Sequence, residues 1–198
     1  EKGPLVKISP DNTFYVQVAP EDAGELIYQH FIKKQKLERL LYIHPETKQR
    51  VTEAKDMDFY KKQFRIALRN CGIIDSENIE EYIARDGYAA LAKCLTEMTP
   101  DSVINTIKKS GLRGRGGGGF STGLKWEITR QSAGNQKYVD CNADEGDPGA
   151  FMDRSLREGD PHSIIEAMTN CGSSIGADKG LVYIRAEYTL AIKRLQTA

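Results

Sequence analysis

Apolar residues alternate loosely over residues 4–18, with Leu5, Val6 and Ile8 in one run and Phe14, Tyr15, Val16 and Val18 in the next. Pro10-Asp11-Asn12 separates the runs, and that turn chemistry predicts a β-hairpin. The period then lengthens. In PEDAGELIYQHFI, Pro20 opens the segment, acids fill its first turn, and Leu26, Ile27, Phe31 and Ile32 are the apolar positions, which predicts a helix. A hairpin and helix of about 40 residues bury little by themselves, so this part reads as the end of a small α/β domain. Residues 45–56 are polar and punctuated and read as a linker.

Helical patterns follow over 59–70 (Phe59, Tyr60, Phe64, Ile66, Ala67), 78–83 and 88–98. Thr99-Pro100-Asp101 supplies an N-cap and a proline at the first helical position, starting a helix that ends at Gly111 and buries Val103, Ile104 and Ile107. A further helix is predicted over 124–130, capped by Ser121 or Thr122. Residues 137–141 read as a strand, 161–171 as a helix (Ile164, Ile165, Ala167, Met168) and 181–186 as a second strand. Strand, crossover helix, strand is the βαβ unit of an open parallel sheet, so the fold class is α/β. Ligands of such sheets bind beyond the carboxyl ends of the strands.

Composition narrows the class without naming a function. The chain has 198 residues, 39% hydrophobic and 28% charged, with a formal net charge of zero. No basic excess points to nucleic acid, and no apolar run is long enough to span a bilayer. The cysteines stand at 71, 94, 141 and 171 without a C-x-x-C pair, and His30, His44 and His162 are isolated from one another, so no metal-ligand pattern is present.

The chemistry concentrates in SGLRGRGGGGFSTGLKW, residues 110–126. Seven of the thirteen residues from 111 to 123 are glycine, with Arg113, Arg115 and Lys125 among or beside them. Ordering such a run costs more backbone entropy than ordering any other residue type. A fold tolerates that where the backbone must approach a phosphate or the flat face of a ring, and the basic residues favour an anionic ligand. Gly114-x-Gly116-x-x-Gly119 matches the dinucleotide fingerprint, but a helix rather than a strand precedes it. A phosphate loop with a lysine and a magnesium-binding hydroxyl also fails, because Leu124 precedes Lys125 and Trp126 follows it. A plain hinge would not need the flanking Arg113, Arg115, Phe120 and Lys125.

The second chemical segment is the turn NADEGDPGAFMDR, leaving the carboxyl end of the first predicted strand with Asn142, Asp144, Glu145 and Asp147. Asp and Gly are common in any turn. Near an anion site, carboxylates suit the hydroxyls of a sugar or a ring N–H, leaving the cations for phosphate.

Taken with EGDPHSIIEAM and YIRAEY, these motifs in their order and spacing resemble the NADH-oxidising FMN flavoprotein subunits of the respiratory complex I family. The resemblance covers roughly residues 50–198. The N-terminal GPLVKISPDNTFYVQV, VAPEDAGELIYQHF and ERLLYIHP are similar to the diaphorase subunits of multimeric iron hydrogenases, bifurcating or NADP-reducing. The resemblance implies three parts: a remnant of a thioredoxin-like ferredoxin domain over 1–43, a linker and helical lead-in over 44–110, and the N-terminal half of an FMN/NAD-binding domain over 111–198. It implies hydride transfer from NAD(P)H to FMN and electron delivery to iron–sulfur clusters of a larger complex, with no side chain acting as nucleophile and no cluster ligand in this chain. It places the protein in the cytoplasm or peripheral to a membrane complex, without a membrane span of its own, beside other iron–sulfur subunits of a multimeric oxidoreductase complex.

By motif position, Gly114, Arg115, Gly116 and Lys125 would line the FMN site, and Asn142, Asp144 and Glu145 would bond the flavin or its ribityl chain. Gly116, Gly117 and Phe120 would touch the nucleotide, Phe120 by stacking, within the run completed by Gly118 and Gly119. Asp147 stands where complex I members often carry glutamate beside the nicotinamide. Three departures loosen the match: Ser121 for proline, Gly118 for alanine, and Ile128 for a second aromatic. The family's other flavin-site motif falls after residue 198, so the chain reads as a fragment from which weak FMN binding or none is expected. The competing reading is a docking module, or a nucleotide-binding module without flavin.

Overall fold

The computed structural model describes residues 2–198, which divide into two compact units, one ending at Arg65 and the other spanning Ile66–Ala198. In the first unit, β1 (Leu5–Ile8) and β2 (Thr13–Val16) pair antiparallel as the alternation predicts, Leu5 opposite Val16. The Asp11 carboxylate accepts from the Thr13 amide and hydroxyl, fixing the turn. Residues 20–32 are helical throughout: a 3₁₀ turn at Pro20–Asp22, α1 (Ala23–Leu26) and a π-helical turn at Ile27–Ile32. That widened last part departs from the 3.6-residue period. The buried positions are accordingly Leu26 and His30, while Ile27, Phe31 and Ile32 are exposed. Tyr15 is the centre of the core with Ile8, Val18, Leu26, Leu37, Leu40 and Leu41. Its hydroxyl accepts the Leu37 N–H and meets His30 Nδ1 at 2.8 Å, so no polar group is orphaned there.

Two sequence expectations fail in this region. The polar stretch 45–56 is structured: β3 (Tyr42–Ile43) and β4 (Arg50–Val51) form a second hairpin, tied to the first by the Phe14 N–H donating to Thr52 O at 2.8 Å. Backbone pairing, which leaves no compositional trace in a polar segment, overrides the linker signal. The predicted 59–70 helix shrinks to α2 (Asp58–Lys61). Phe59, Phe64 and Ile66 are exposed, Phe64 by 91%, so the apolar stripe has nothing to bury, and a short helix without a packed face is not stable.

The second unit is built around one long helix. β5 (Tyr138–Ala143) and β6 (Lys179–Ile184) are parallel, Tyr138 opposite Lys179 and Ala143 opposite Ile184, joined through α7 (Met152–Gly159) and α8 (Pro161–Ile175). The predicted βαβ unit is therefore present, with α8 ended by Gly176 at φ +79°. Along α8 three of the inward positions are polar: His162, Glu166 and Ser174 are buried beside Pro161, Gly172 and Ile175, whereas Ala167 is exposed. Glu166 explains this. Its carboxylate accepts the Tyr82 hydroxyl at 2.5 Å and the Tyr88 and Leu91 amides at 3.0 and 3.2 Å, joining α3 (Ile79–Ile83) and the start of α4 (Ala89–Thr96) to α8. Tyr82 stacks on His162, whose Nδ1 meets the Tyr88 hydroxyl, and burial pushes the His162 pKa down and the Tyr82 pKa up. Asp160 is fully buried and accepts from Asn70. The EGDPHSIIEAM motif is thus the anchor of this unit's helices.

Candidate functional site

α5 (Pro100–Lys109) begins as its sequence dictates: the Thr99 hydroxyl accepts the Ser102 amide, and Val103 and Ile104 are buried. It ends at Gly111, φ +70°. α6 (Thr122–Gln131) starts with Ser121 as N-cap, its hydroxyl accepting the Leu124 amide. Between the two helices the glycine segment is a narrow excursion. The Gly114 amide donates to Phe120 O (2.8 Å), the Thr122 amide to Leu112 O (3.0 Å), and Arg113 Nε to Gly119 O. Arg113 therefore braces the neck of the loop. Gly123 has a different purpose: a Cβ there would stand 2.5 Å from the Lys108 backbone nitrogen, so glycine lets α5 and α6 touch backbone to backbone.

At the tip the glycines have no such reason. Gly117 and Gly119 take positive φ (+99° and +59°). Gly116 and Gly118 do not, and a Cβ on either would meet nothing within 4 Å. Arg115 on the tip and Lys125 on α6 are exposed, and among the described residues neither enters an ion pair. Phe120 is exposed as well, beside a shallow cavity of about 440 Å³ lined by Gly111, Arg113, Gly118, Gly119, Phe120 and Ser121. The arrangement offers bare backbone, unpaired positive charge and one aromatic face.

The acidic turn is different. Because β5 and β6 are parallel and in register, the chain leaves both at the same edge, at Asp144 and Arg185, whose side chains approach to 3.6 Å. Asn142 Oδ1 accepts the Asp144 amide. Glu145 turns inward, and its two oxygens accept the Asp153 and Arg154 amides at 3.0 and 2.9 Å. It thereby caps α7, an eight-residue helix without a capping side chain of its own, which sequence reasoning missed because its cap lies outside the segment. Burial pushes the Glu145 carboxyl up, but the Arg154 and Asp153 amides and the Arg157 charge outweigh it and hold the pKa below its usual value. Asp147 is exposed.

The structure thus gathers Gly114, Arg115, Gly116, Gly117, Gly118, Gly119 and Phe120 on one loop, and Asn142, Asp144, Glu145 and Asp147 at one strand end. The cavity beside the loop is lined by no residue of the acidic turn. A further concavity of about 430 Å³ lies along α8, β5 and β6, where Val139, Ile165, Met168 and Val182 make it largely apolar. No group of three or more potential metal ligands is gathered among the described residues, and none of their helices is long and apolar enough to cross a membrane.

Comparison with known proteins gives a consistent picture. Residues 107–198 match the model of the Nuo51 FMN-binding domain. The NADP-reducing hydrogenase subunit HndC of Solidesulfovibrio fructosivorans is 63% identical over 138 residues, 70% of this chain and 28% of that protein. An NADH-quinone oxidoreductase subunit of Rhizobium meliloti (strain 1021) is 48% identical over 133 residues, 67% of this chain and 32% of that protein. The chain therefore spans about a third of the length of these relatives. A crystal structure of an NAD⁺-reducing [NiFe]-hydrogenase matches 98% of this chain and 30% of its own, with a TM-score of 0.52 at 25% identity. The resemblance drawn from the four motifs holds, and so does the α/β class with its parallel sheet.

Proposed function

We propose, for a chain related over residues 107–198 to the Nuo51 FMN-binding domain, that it forms part of the FMN and NAD(P)H site of a diaphorase, passing electrons to iron–sulfur partners in a larger cytoplasmic or membrane-peripheral complex. The observation that carries this reading is the bare backbone at Gly116. Neither fold nor φ demands glycine there, so the demand comes from outside the chain, and a flat ring laid against the loop meets it. Bound FMN supplies the chemistry of accepting hydride and releasing single electrons.

The protein's share is positioning and charge. Gly114, Gly116, Gly117, Gly118 and Gly119 present backbone, and Arg115 and Lys125 offer unpaired cations to phosphate or to reduced flavin. Phe120 offers a stacking face to the nucleotide. Asn142, Asp144 and Asp147 offer acceptors to hydroxyls or a ring N–H, while Glu145 supports their turn from within. The test is the visible spectrum of the purified protein that carries this sequence, supplied with FMN and then with NADH or NADPH without oxygen. Flavin bands that bleach with either nucleotide are expected, and the effective nucleotide identifies the donor. A protein that takes up no FMN overturns the reading and leaves a docking or nucleotide-binding module.

A further inference from the structure

Around the Tyr188 ring, which follows β6 in the YIRAEY motif, three guanidinium groups converge: Arg154 and Arg157 at 5.6 Å from the ring centroid and Arg185 at 5.9 Å. Arg154 is paired with Glu158 at 2.8 Å, and Arg185 with Glu187 at 2.8 Å and Asp144 at 3.6 Å. Arg157 is the unusual one. Its side chain is 3% exposed, its Nε and Nη2 have no hydrogen-bond partner among the described residues, and the carboxylate beside it is Glu145, 3.8 Å from Nη2. A buried guanidinium without hydrogen bonds is costly unless opposite charge or a π face offsets it. Here Glu145 supplies the charge and Tyr188 the face.

Tyr188 completes the connection from the other side. Its hydroxyl donates to the Glu145 carbonyl oxygen at 2.7 Å. Glu145 is therefore held at both ends: its carbonyl by Tyr188, its carboxylate by the Asp153 and Arg154 amides and the Arg157 charge. Nothing else in the turn is fixed so heavily, since the Asp144 amide and the Asp147 carbonyl make only local turn bonds.

We infer that Tyr188 and Arg157 are positioning residues, a clamp that holds Glu145 and with it the acidic turn at the carboxyl edge of β5. Neither reaches a ligand directly. They set where the backbone runs from Asn142 to Asp147 and which way its free acceptors face. The clamp stands on geometry alone, while its value for flavin binding rests on the function proposed above.

Amide hydrogen exchange tests the clamp without any flavin. Tyr188→Phe keeps the ring for the arginines and removes one hydrogen bond. Exchange at the Asp153 and Arg154 amides should rise about threefold to tenfold, with Val103 and Ile104 in α5 unchanged. A second readout follows the pH at which those two amides lose protection as Glu145 is protonated. The charged groups facing Glu145 are Arg157 and Arg154 from α7; Tyr188 lies alongside it, and Arg185 with its partner Asp144 stands at the Tyr188 ring. Arg157→Leu should move that midpoint upward, and Arg157→Lys should restore part of the difference. Unchanged exchange in Tyr188→Phe, acceleration spread equally into α5, or an unmoved midpoint in Arg157→Leu would each overturn the clamp. FMN affinity is read separately: a loosened turn with unaltered affinity overturns the flavin role of this turn and leaves the clamp intact.

Discussion

The glycine loop and the acidic turn belong to the same unit, yet they are built in opposite ways. Between its neck bonds and Gly123, the loop has a tip that touches almost nothing, and its cations Arg115 and Lys125 are unpaired among the described residues. The acidic turn is crossed by bonds, and its central carboxylate is already used by a helix N-terminus and a buried arginine. An open polar surface on a fixed base is what ligand binding needs. A closed one fixes the position of whatever adjoins it. The difference separates residues that would meet a ligand from residues that hold the ground beneath it.

The largest effect is expected where the loop meets the scaffold. Gly123→Ala places a methyl carbon against the Lys108 backbone, and the two helices must part. Overpacking of this kind costs about 1–3 kcal/mol, visible as a lower midpoint of thermal or urea unfolding. Were Gly123→Ala as stable as the parent, the close approach of α5 and α6 would not be what fixes the loop. A smaller effect is expected from pH. Glu145 has a depressed pKa, so its contribution is present above the ordinary carboxyl value of 4.5 and is lost as pH falls through the lower folded value. On acidification below 4.5, protection of the α7 amides should fade while the Gly114 and Thr122 amides at the neck of the loop, which donate to backbone carbonyls, hold their own. Simultaneous loss in both places would erase the distinction.

Much of this was legible in the sequence. Thr99-Pro100 and Ser121 mark two helix starts, and both cap as written. The strand–helix–strand order gives the parallel pair. The chemical segments fall where predicted, on the loop after α5 and at the end of β5. What stayed hidden depends on partners distant in sequence. MDRSLREG has helix signals in Asp153, Arg157 and the i,i+4 pair Arg154–Glu158, but its cap is Glu145, outside the segment, and its buried face is a charged arginine rather than an apolar stripe. The apolar stripe of 59–70 promises a helix that only a covering surface could stabilise. Gly123 looks like its neighbours in the glycine run, and only the distance to Lys108 separates it from them.

Glycine at position 116 answers to a ligand rather than to the fold, since neither φ nor a neighbouring atom requires it there. The direct test is FMN affinity and thermal stability measured together for Gly116→Ala in the protein that carries this sequence, with Gly118→Ala as the control because the family pattern carries alanine there. Gly116→Ala should leave stability within about 0.5 kcal/mol of the parent or raise it slightly and weaken FMN binding by about tenfold or more (about 1.4 kcal/mol), while Gly118→Ala should change neither. Unaltered FMN affinity in a stable Gly116→Ala protein would contradict a ligand's demand for glycine at this position.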